Sequence, residues 1–276
     1  MTLRLLLPTR WLGWLVVTLG LGASGVTAAQ VEGIPEELRV CADPDNLPYS
    51  HTDGSGFENR LAQLLADDWR VPLRYAWLPD RRGFVRKTLG ESRCDVIMGV
   101  PVGLERVATT RAYYRSSYVL LQPASQRPLL SWDDARFVQL RIGVPLIGDD
   151  LAASPPGLAL ARHGATRNVV GFPLAGAEPV GERIAHALRR GDIDAAFLWG
   201  PQAGYQAKAA GAALRVTPFR QPAELADVAG FEFAIAMGVR PGDTALRAAL
   251  DDFILRRRAD IDRVLADYAV PRVDAP

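Results

Sequence analysis

Short apolar runs alternate with amphipathic stretches along most of the chain, the pattern of strands feeding helices. Leu38-Arg39-Val40-Cys41-Ala42 reads as a strand that ends in the loop Asp43-Pro44-Asp45-Asn46-Leu47-Pro48-Tyr49. Phe57, Leu61, Leu64, Leu65 and Trp69 then recur at helical spacing. Ser55, with Glu58 three residues on, has the form of a capping box at the start of that helix. Leu73 to Trp77 predicts a second strand, and Gly83 to Leu89 a short helix stopped by Gly90. Cys94 to Val100 predicts a third strand, nearly all apolar, as a parallel strand covered on both faces must be. This β-α-β-α-β order predicts a doubly wound α/β sheet.

The middle of the chain repeats the theme. Leu140 to Leu146 predicts a strand, Glu182 to Arg190 a helix closed by Gly191, and Ile193 to Trp199 a buried strand. Arg93-Cys94-Asp95-Val96-Ile97-Met98-Gly99 shares its layout with Asp192-Ile193-Asp194-Ala195-Ala196-Phe197-Leu198-Trp199-Gly200: a helix end, an Asp, then an apolar strand running to Gly. Two similar lobes are expected. Ser117 to Leu121 and Phe231 to Met237 read as extended connectors between them. After the second, Asp243 caps a helix with Leu246, Leu250, Phe253 and Ile254 on its apolar face, and Ile261, Val264, Leu265 and Tyr268 continue the pattern. One lobe interrupted by another, with two strands crossing, makes a hinge that closes over a ligand. The expected division is residues 1–29 as an export signal, 30–121 plus 238–276 as lobe 1, and 122–237 as lobe 2.

The first segment stands apart from this pattern. Arg4 and Arg10 flank an apolar stretch from Trp11 to Leu21, followed by the small-residue run Gly22 to Ala29. A basic start, a short apolar core and an A-x-A-like end make a secretory signal, cleaved near Ala28 or Ala29. The alternative, a membrane anchor, is short for a spanning helix of about 20 residues, and no later segment is apolar enough to span. Export would bring the two cysteines, Cys41 and Cys94, into an oxidising compartment. They either form the one possible bridge or stay as two buried thiols.

Composition narrows the field of functions. The 276 residues are 49% hydrophobic and 23% charged, ordinary for a globular protein. Without Arg4 and Arg10 the chain carries 30 basic against 31 acidic residues, and no basic stripe points to a nucleic acid. The cluster Arg256-Arg257-Arg258 reads as a solvated helix face. His51, His163 and His186 are scattered without ligand spacing, so no metal centre is expected. No G-x-S-x-G, H-E-x-x-H or P-loop spacing occurs, and the chain reads as a binder without enzymatic activity. Asp43 and Asp45 with Glu58 have the form of an acid–base set, yet acids around a turn commonly cap and solvate.

In open α/β sheets ligands bind beyond the carboxyl ends of the strands. That rule selects Asp43 to Tyr49, Trp77 to Arg82, Gly99 to Arg106, Pro145 to Asp149 and Trp199 to Gln202. The candidate cleft residues are Asp43, Asn46, Tyr49, Trp77, Arg82, Gly99, Pro101, Arg106, Tyr113, Arg115, Trp199 and Pro201.

At these residues the chain resembles a known family. Leu38 to Tyr49, Gly56 to Ala62 and Cys94 to Gly99 resemble family 3 extracellular solute-binding proteins across nearly the whole exported chain. The resemblance implies a type II periplasmic binding fold: two doubly wound lobes joined by two crossover strands. Arg81-Arg82-Gly83-Phe84-Val85-Arg86, Gly99-Val100-Pro101 and Thr109 to Tyr118 resemble more narrowly the quinoprotein dehydrogenase-associated members of the MoxJ and XoxJ type. These are encoded beside PQQ-dependent methanol dehydrogenases. The narrower resemblance implies a periplasmic accessory, maturation or activation partner of a PQQ-dependent alcohol dehydrogenase, with the PQQ belonging to that enzyme. The wider family implies the alternative of an ABC importer's binding subunit for a small organic ligand, such as an organic acid.

Amino-acid-binding relatives use an arginine after the third strand for the ligand carboxylate, and Arg106 stands at the matching place. They also use an acid after the second-lobe strand for the ligand ammonium. Here that stretch reads Ala196-Phe197-Leu198-Trp199-Gly200-Pro201, with no acid. A free amino acid would leave its ammonium unpaired, which disfavours amino-acid uptake. Arg82, Arg106 and Arg115 with Trp77 have the chemistry to hold PQQ itself, and read equally as scattered surface arginines.

Overall fold

A computed structural model describes residues 33–147, 152–174, 176, 178–225 and 230–273. The expected export signal, and positions 148 and 149 of one cleft loop, lie outside the described residues. The first half runs β1 (Leu38–Ala42), β2 (Asp45–Asn46), β3 (Ser50–His51), α1 (Phe57–Trp69), β4 (Leu73–Trp77), α2 (Phe84–Lys87), β5 (Val96–Pro101) and β6 (Ala108–Pro123). Next come β7 (Ile142–Ile147), β8 (Ala152–Ala153), α3 (Pro155–Arg162), β9 (Val169–Pro173), α4 (Val180–Arg190), β10 (Ala195–Trp199), α5 (Gly200–Ala209) and β11 (Leu214–Pro218). β12 (Glu232–Val239), α6 (Thr244–Arg256) and α7 (Arg258–Asp267) complete the chain.

Ten strands share one mixed sheet in the order β4-β1-β5-β12-β6-β10-β7-β8, with β11 also on β6 and β9 also on β7. The long strand β6 belongs to both lobes. Its residues 108–117 pair antiparallel with β12, and residues 118–123 pair with β10 and β11. Each lobe then has the same order, β4-β1-β5-β12 in one and β9-β7-β10-β6 in the other. The first three strands are parallel and the fourth is an antiparallel strand arriving from across the hinge.

The repeated Asp of the two sequence segments has the same task in both lobes. Arg39 of β1 donates from Nε and Nη2 to the two carboxylate oxygens of Asp95, both at 2.7 Å. Arg141, just before β7, donates likewise to Asp194 at 3.1 and 2.8 Å. The Asp95 N–H also reaches the Arg39 carbonyl (2.8 Å), and the Asp194 N–H the Arg141 carbonyl (2.9 Å). A bidentate fork thus ties two neighbouring parallel strands in each lobe, β1 to β5 and β7 to β10. In the first lobe Arg240 adds a third bond to Asp95 at 2.7 Å.

Helices α1, α6 and α7 close over one core that includes Leu38, Phe57, Leu65, Met98, Tyr113, Met237, Phe253 and Leu265. The second lobe buries Ile184, Leu188 and Leu198 on one side of its sheet and Phe137, Ile142 and Phe197 on the other. Cys41 and Cys94 form a disulfide with Cα atoms 5.4 Å apart, inside a small cluster with Phe84, Leu89 and Ile97. Among the described residues no helix is long and apolar enough to cross a membrane.

Several local expectations change. The α1 cap is Gly56 rather than Ser55, and Asn59 rather than Glu58 reaches back: its Oδ1 accepts the N–H groups of Gly56 (3.1 Å) and His51 (2.9 Å). A side chain at Gly56 would meet the Tyr49 carbonyl at 2.1 Å, so only glycine fits that cap. The helix expected over 83–89 shrinks to α2, because Gly83 has φ +89° and Thr88 leaves helical geometry. The connectors are parts of the continuous strands β6 and β12. The C-terminal helix breaks at Arg257 into α6 and α7. There Arg256 and Arg257 converge on the buried carboxylate of Asp68 in α1, at 2.9 and 3.4 Å, so the arginine cluster docks helices rather than simply meeting solvent.

Candidate functional site

The carboxyl ends of β1, β4, β5 and β10, the start of α1 and the two crossing strands enclose a cavity of about 340 Å³, within the range of small-ligand sites. β1 delivers Asp43, whose Oδ1 accepts the Asp45 N–H (2.9 Å) and whose Oδ2 accepts the Asp80 N–H (2.6 Å). Ser50 Oγ donates to the Asp43 carbonyl at 2.8 Å and closes the loop that carries Asn46 and Tyr49. Asp43 thereby fastens the β1 loop to the β4 loop. β5 contributes Ile97, Gly99 and Pro101. A side chain at Gly99 would stand 2.1 Å from Glu58 Oε1, so the glycine is what lets the Glu58 carboxyl lie against β5.

The other wall is aromatic. Tyr114 and Tyr118 of β6 and Phe233 of β12 reach the cavity, and so does Trp199 at the end of β10. Trp199 sits between Tyr118 (centroids 5.5 Å, 66°) and Phe233 (5.7 Å, 68°). Tyr114 is only 4% exposed, its ring edge-on to Phe57 at 6.2 Å.

The carboxyls are perturbed by this setting. Burial, and then the nearby Asp80 charge, push Glu58 up to about 8. Desolvation, and then Asp43, raise Asp80 to about 6. Burial raises Tyr118 to about 12 and holds the Tyr49 and Tyr114 phenols well above their ordinary range. Among the described residues no lysine, arginine or histidine lines the cavity. Among the described residues no group of three or more His, Cys, Asp or Glu side chains is placed to hold a metal ion. What the arrangement can do is accept hydrogen bonds, stack on rings and keep a proton on a carboxyl at neutral pH.

Six of the residues expected at the cleft meet here: Asp43, Asn46, Tyr49, Gly99, Pro101 and Trp199. Tyr113 does not. Successive strand residues face opposite sides, and with Tyr114 at the cavity Tyr113 is fully buried in the core, its hydroxyl donating to the Met98 carbonyl at 2.9 Å. Trp77 stacks on Tyr75 at 4.5 Å, outside the lining. Arg82 is exposed. Arg106 is exposed with φ +65° and faces a neighbouring cavity with Arg81, Arg86 and Arg240, so it is not placed to hold a carboxylate in the cleft. Arg115 points toward Glu232 (3.9 Å), and Pro201 is buried in the first turn of α5. Of the proposed acid–base set, Asp43 and Glu58 line the cavity and Asp45 does not.

The sequence pattern reached Asp80 only as part of the Trp77–Arg82 loop, left Phe84, Tyr114, Tyr118 and Phe233 out of the cleft, and gave Glu58 chiefly the part of a cap. A usable signal existed: Tyr114 and Tyr118 are an even number of residues apart on one strand, and Phe233 and Ile235 likewise.

No protein-family model matches the chain. Protein MoxJ of Methylorubrum extorquens is 30% identical over 249 residues, covering 85% of this chain and 81% of MoxJ. The crystal structure of the periplasmic binding protein XoxJ from Methylobacterium extorquens AM1 superposes with a TM-score of 0.71 at 34% identity, over 86% of this chain and 100% of that one. MxaJ from Methlophaga aminisulfidivorans MPT gives 0.75 at 27% identity, over 86% and 100%. The two lobes with crossing strands are the type II periplasmic binding fold.

Proposed function

This chain belongs to the family of MoxJ, and on that premise we propose that it is a periplasmic, non-enzymatic accessory partner of a PQQ-dependent, methanol-type alcohol dehydrogenase, assisting its maturation or activation through the interlobe cleft. Family membership over 85% of the chain is the observation that carries this reading. The cavity supports it from the other side. With Arg106 outside the lining, the described residues of the cleft offer no lysine or arginine as counter-charge for the carboxylate of an amino acid or of a small organic acid. A buried anion without a partner is costly, so amino-acid and organic-acid capture fit this site badly.

The test mixes the purified protein with the apo and holo forms of a PQQ-dependent alcohol dehydrogenase from the same cell. Size-exclusion chromatography with light scattering reads the complex. A shared peak that strengthens or disappears with cofactor state is expected; separate peaks for both forms would overturn the partnership. One observation favours a second reading, the binding subunit of an ABC importer: the cavity is of small-ligand size.

A further inference from the structure

The cavity gathers carboxyls and rings, with no basic side chain among its described lining residues. Asp43, Glu58 and Asp80 line it from the first lobe, and Tyr118, Trp199 and Phe233 from the crossing strands and β10. We propose that this cavity is a binding site for an organic ammonium ion with apolar substituents, its charge beside Glu58 and Asp80 and its carbon groups against Trp199 and its two neighbouring rings. Such a site presupposes that the interlobe cavity is where this protein binds, as proposed above, and is independent of which dehydrogenase it serves.

Two polar groups of the lining are free to meet a ligand. Tyr114 lines the cavity and is 4% exposed, yet its hydroxyl makes no hydrogen bond to any described residue. The Glu58 carboxyl, held against Gly99, likewise has no hydrogen-bonding or ionic partner among the described residues. Tyr114 is the enclosed one of the two, Glu58 being half-buried, and an enclosed polar side chain ordinarily finds a partner. An ammonium donates to both a phenol oxygen and a carboxylate, and the faces of tryptophan and tyrosine attract it further. A carboxylate ligand would instead lie among three acids.

The titration of the site adds a signature. Glu58 is faced by Asp80 from the β4–α2 loop and by the Tyr49, Tyr75, Tyr113 and Tyr114 phenols, and Asp80 in turn by Asp43. None of these supplies a positive charge, and burial beside Asp80 pushes Glu58 up to about 8. An alkylammonium, ionised below about pH 10.4 like lysine, displaces the Glu58 proton on entering. Affinity therefore rises between pH 6 and 8, with proton release.

The ammonium can come from a free amine or from a lysine side chain presented by a protein. Isothermal titration calorimetry of the purified chain, at pH 7 in two buffers of different ionisation enthalpy, takes n-butylammonium and the peptide acetyl-Gly-Lys-Gly-amide as probes and butyrate as the opposite charge. One-to-one binding of at least one cation with proton release is expected, weakened at least tenfold by Glu58→Gln and by Asp80→Asn. Tighter binding of butylammonium identifies a free amine as the source, and tighter binding of the peptide a protein lysine. Asp80 lies on an exposed loop, so Asp80→Asn carries the test should Glu58→Gln fail to fold. No binding of either cation, undiminished binding by the variants, or stronger binding of butyrate would overturn the site. A shared elution peak with the dehydrogenase but no cation binding would remove the ammonium site and leave the partnership; cation binding with separate peaks would do the reverse.

Discussion

Glu58 sits in the first turn of α1, where a carboxylate ordinarily gains from the helix dipole, yet enclosure beside Asp80 raises its proton affinity from 4.5 to about 8. Between those values the folded chain holds a proton that the unfolded chain has lost. Stability then falls as pH rises through that window. The melting temperature is expected to drop from pH 5 to pH 8, and Glu58→Gln to flatten the drop and melt a few degrees higher than the parent at pH 8, by scanning calorimetry. A pH profile unchanged by the substitution would show that Glu58 is not desolvated. Asp95 acts in the opposite sense: burial opposes its charge, but the bonds from Arg39 and Arg240 outweigh it and depress its proton affinity, so its contribution is lost as pH falls below the ordinary aspartate range.

Asp95 and Asp194 belong to matching elements, and their unequal surroundings set unequal roles. The Asp95 side chain is 10% exposed and answers to two arginines, whereas Asp194 is 22% exposed and answers to one. Removing one partner of a buried pair strands the other. Asp95→Ala is expected to cost about 3 kcal/mol, the low end for a buried pair because Arg39 is partly exposed. Asp194→Ala is expected to cost about 1 kcal/mol, in the range of exposed pairs. Urea unfolding of the two variants checks the order, and equal losses would mean that the forks are not what distinguishes the lobes. The same element-level logic explains the break at Arg257. A straight helix would carry Arg256 and Arg257 to different sides, while the break lets both reach Asp68.

Across the molecule, one covalent link and one shared strand hold the first lobe to its tasks. The disulfide spans 53 residues, from β1 to the residue before Asp95, and so restricts the unfolded chain over most of the lobe's first βαβαβ run. Replacing Cys41 and Cys94 together by alanine is expected to lower the unfolding free energy by about 2–4 kcal/mol, read by urea denaturation against the oxidised parent. Strand β6, shared by both lobes, brings Tyr114 and Tyr118 to the cavity from the hinge itself. By itself the sequence determined the parts that depend on near neighbours: β1, α1, β5, β7 and β10 to within a few residues, the doubly wound class, and the repeated Asp at the foot of each third strand. Those follow from apolar periodicity, which is a property of adjacent residues. The tertiary structure alone decided which side of β6 meets the cleft, because register shifts in its pairing with β12 set which tyrosine turns inward. It alone turned Glu58 from a cap into a cavity carboxyl, since the approach of Gly99 is made by a strand distant in the chain. It likewise left the arginines of the β5–β6 and β4–α2 loops outside the cavity, for the charge of a pocket is the sum of what several strand ends deliver together, and no single stretch of sequence contains that sum.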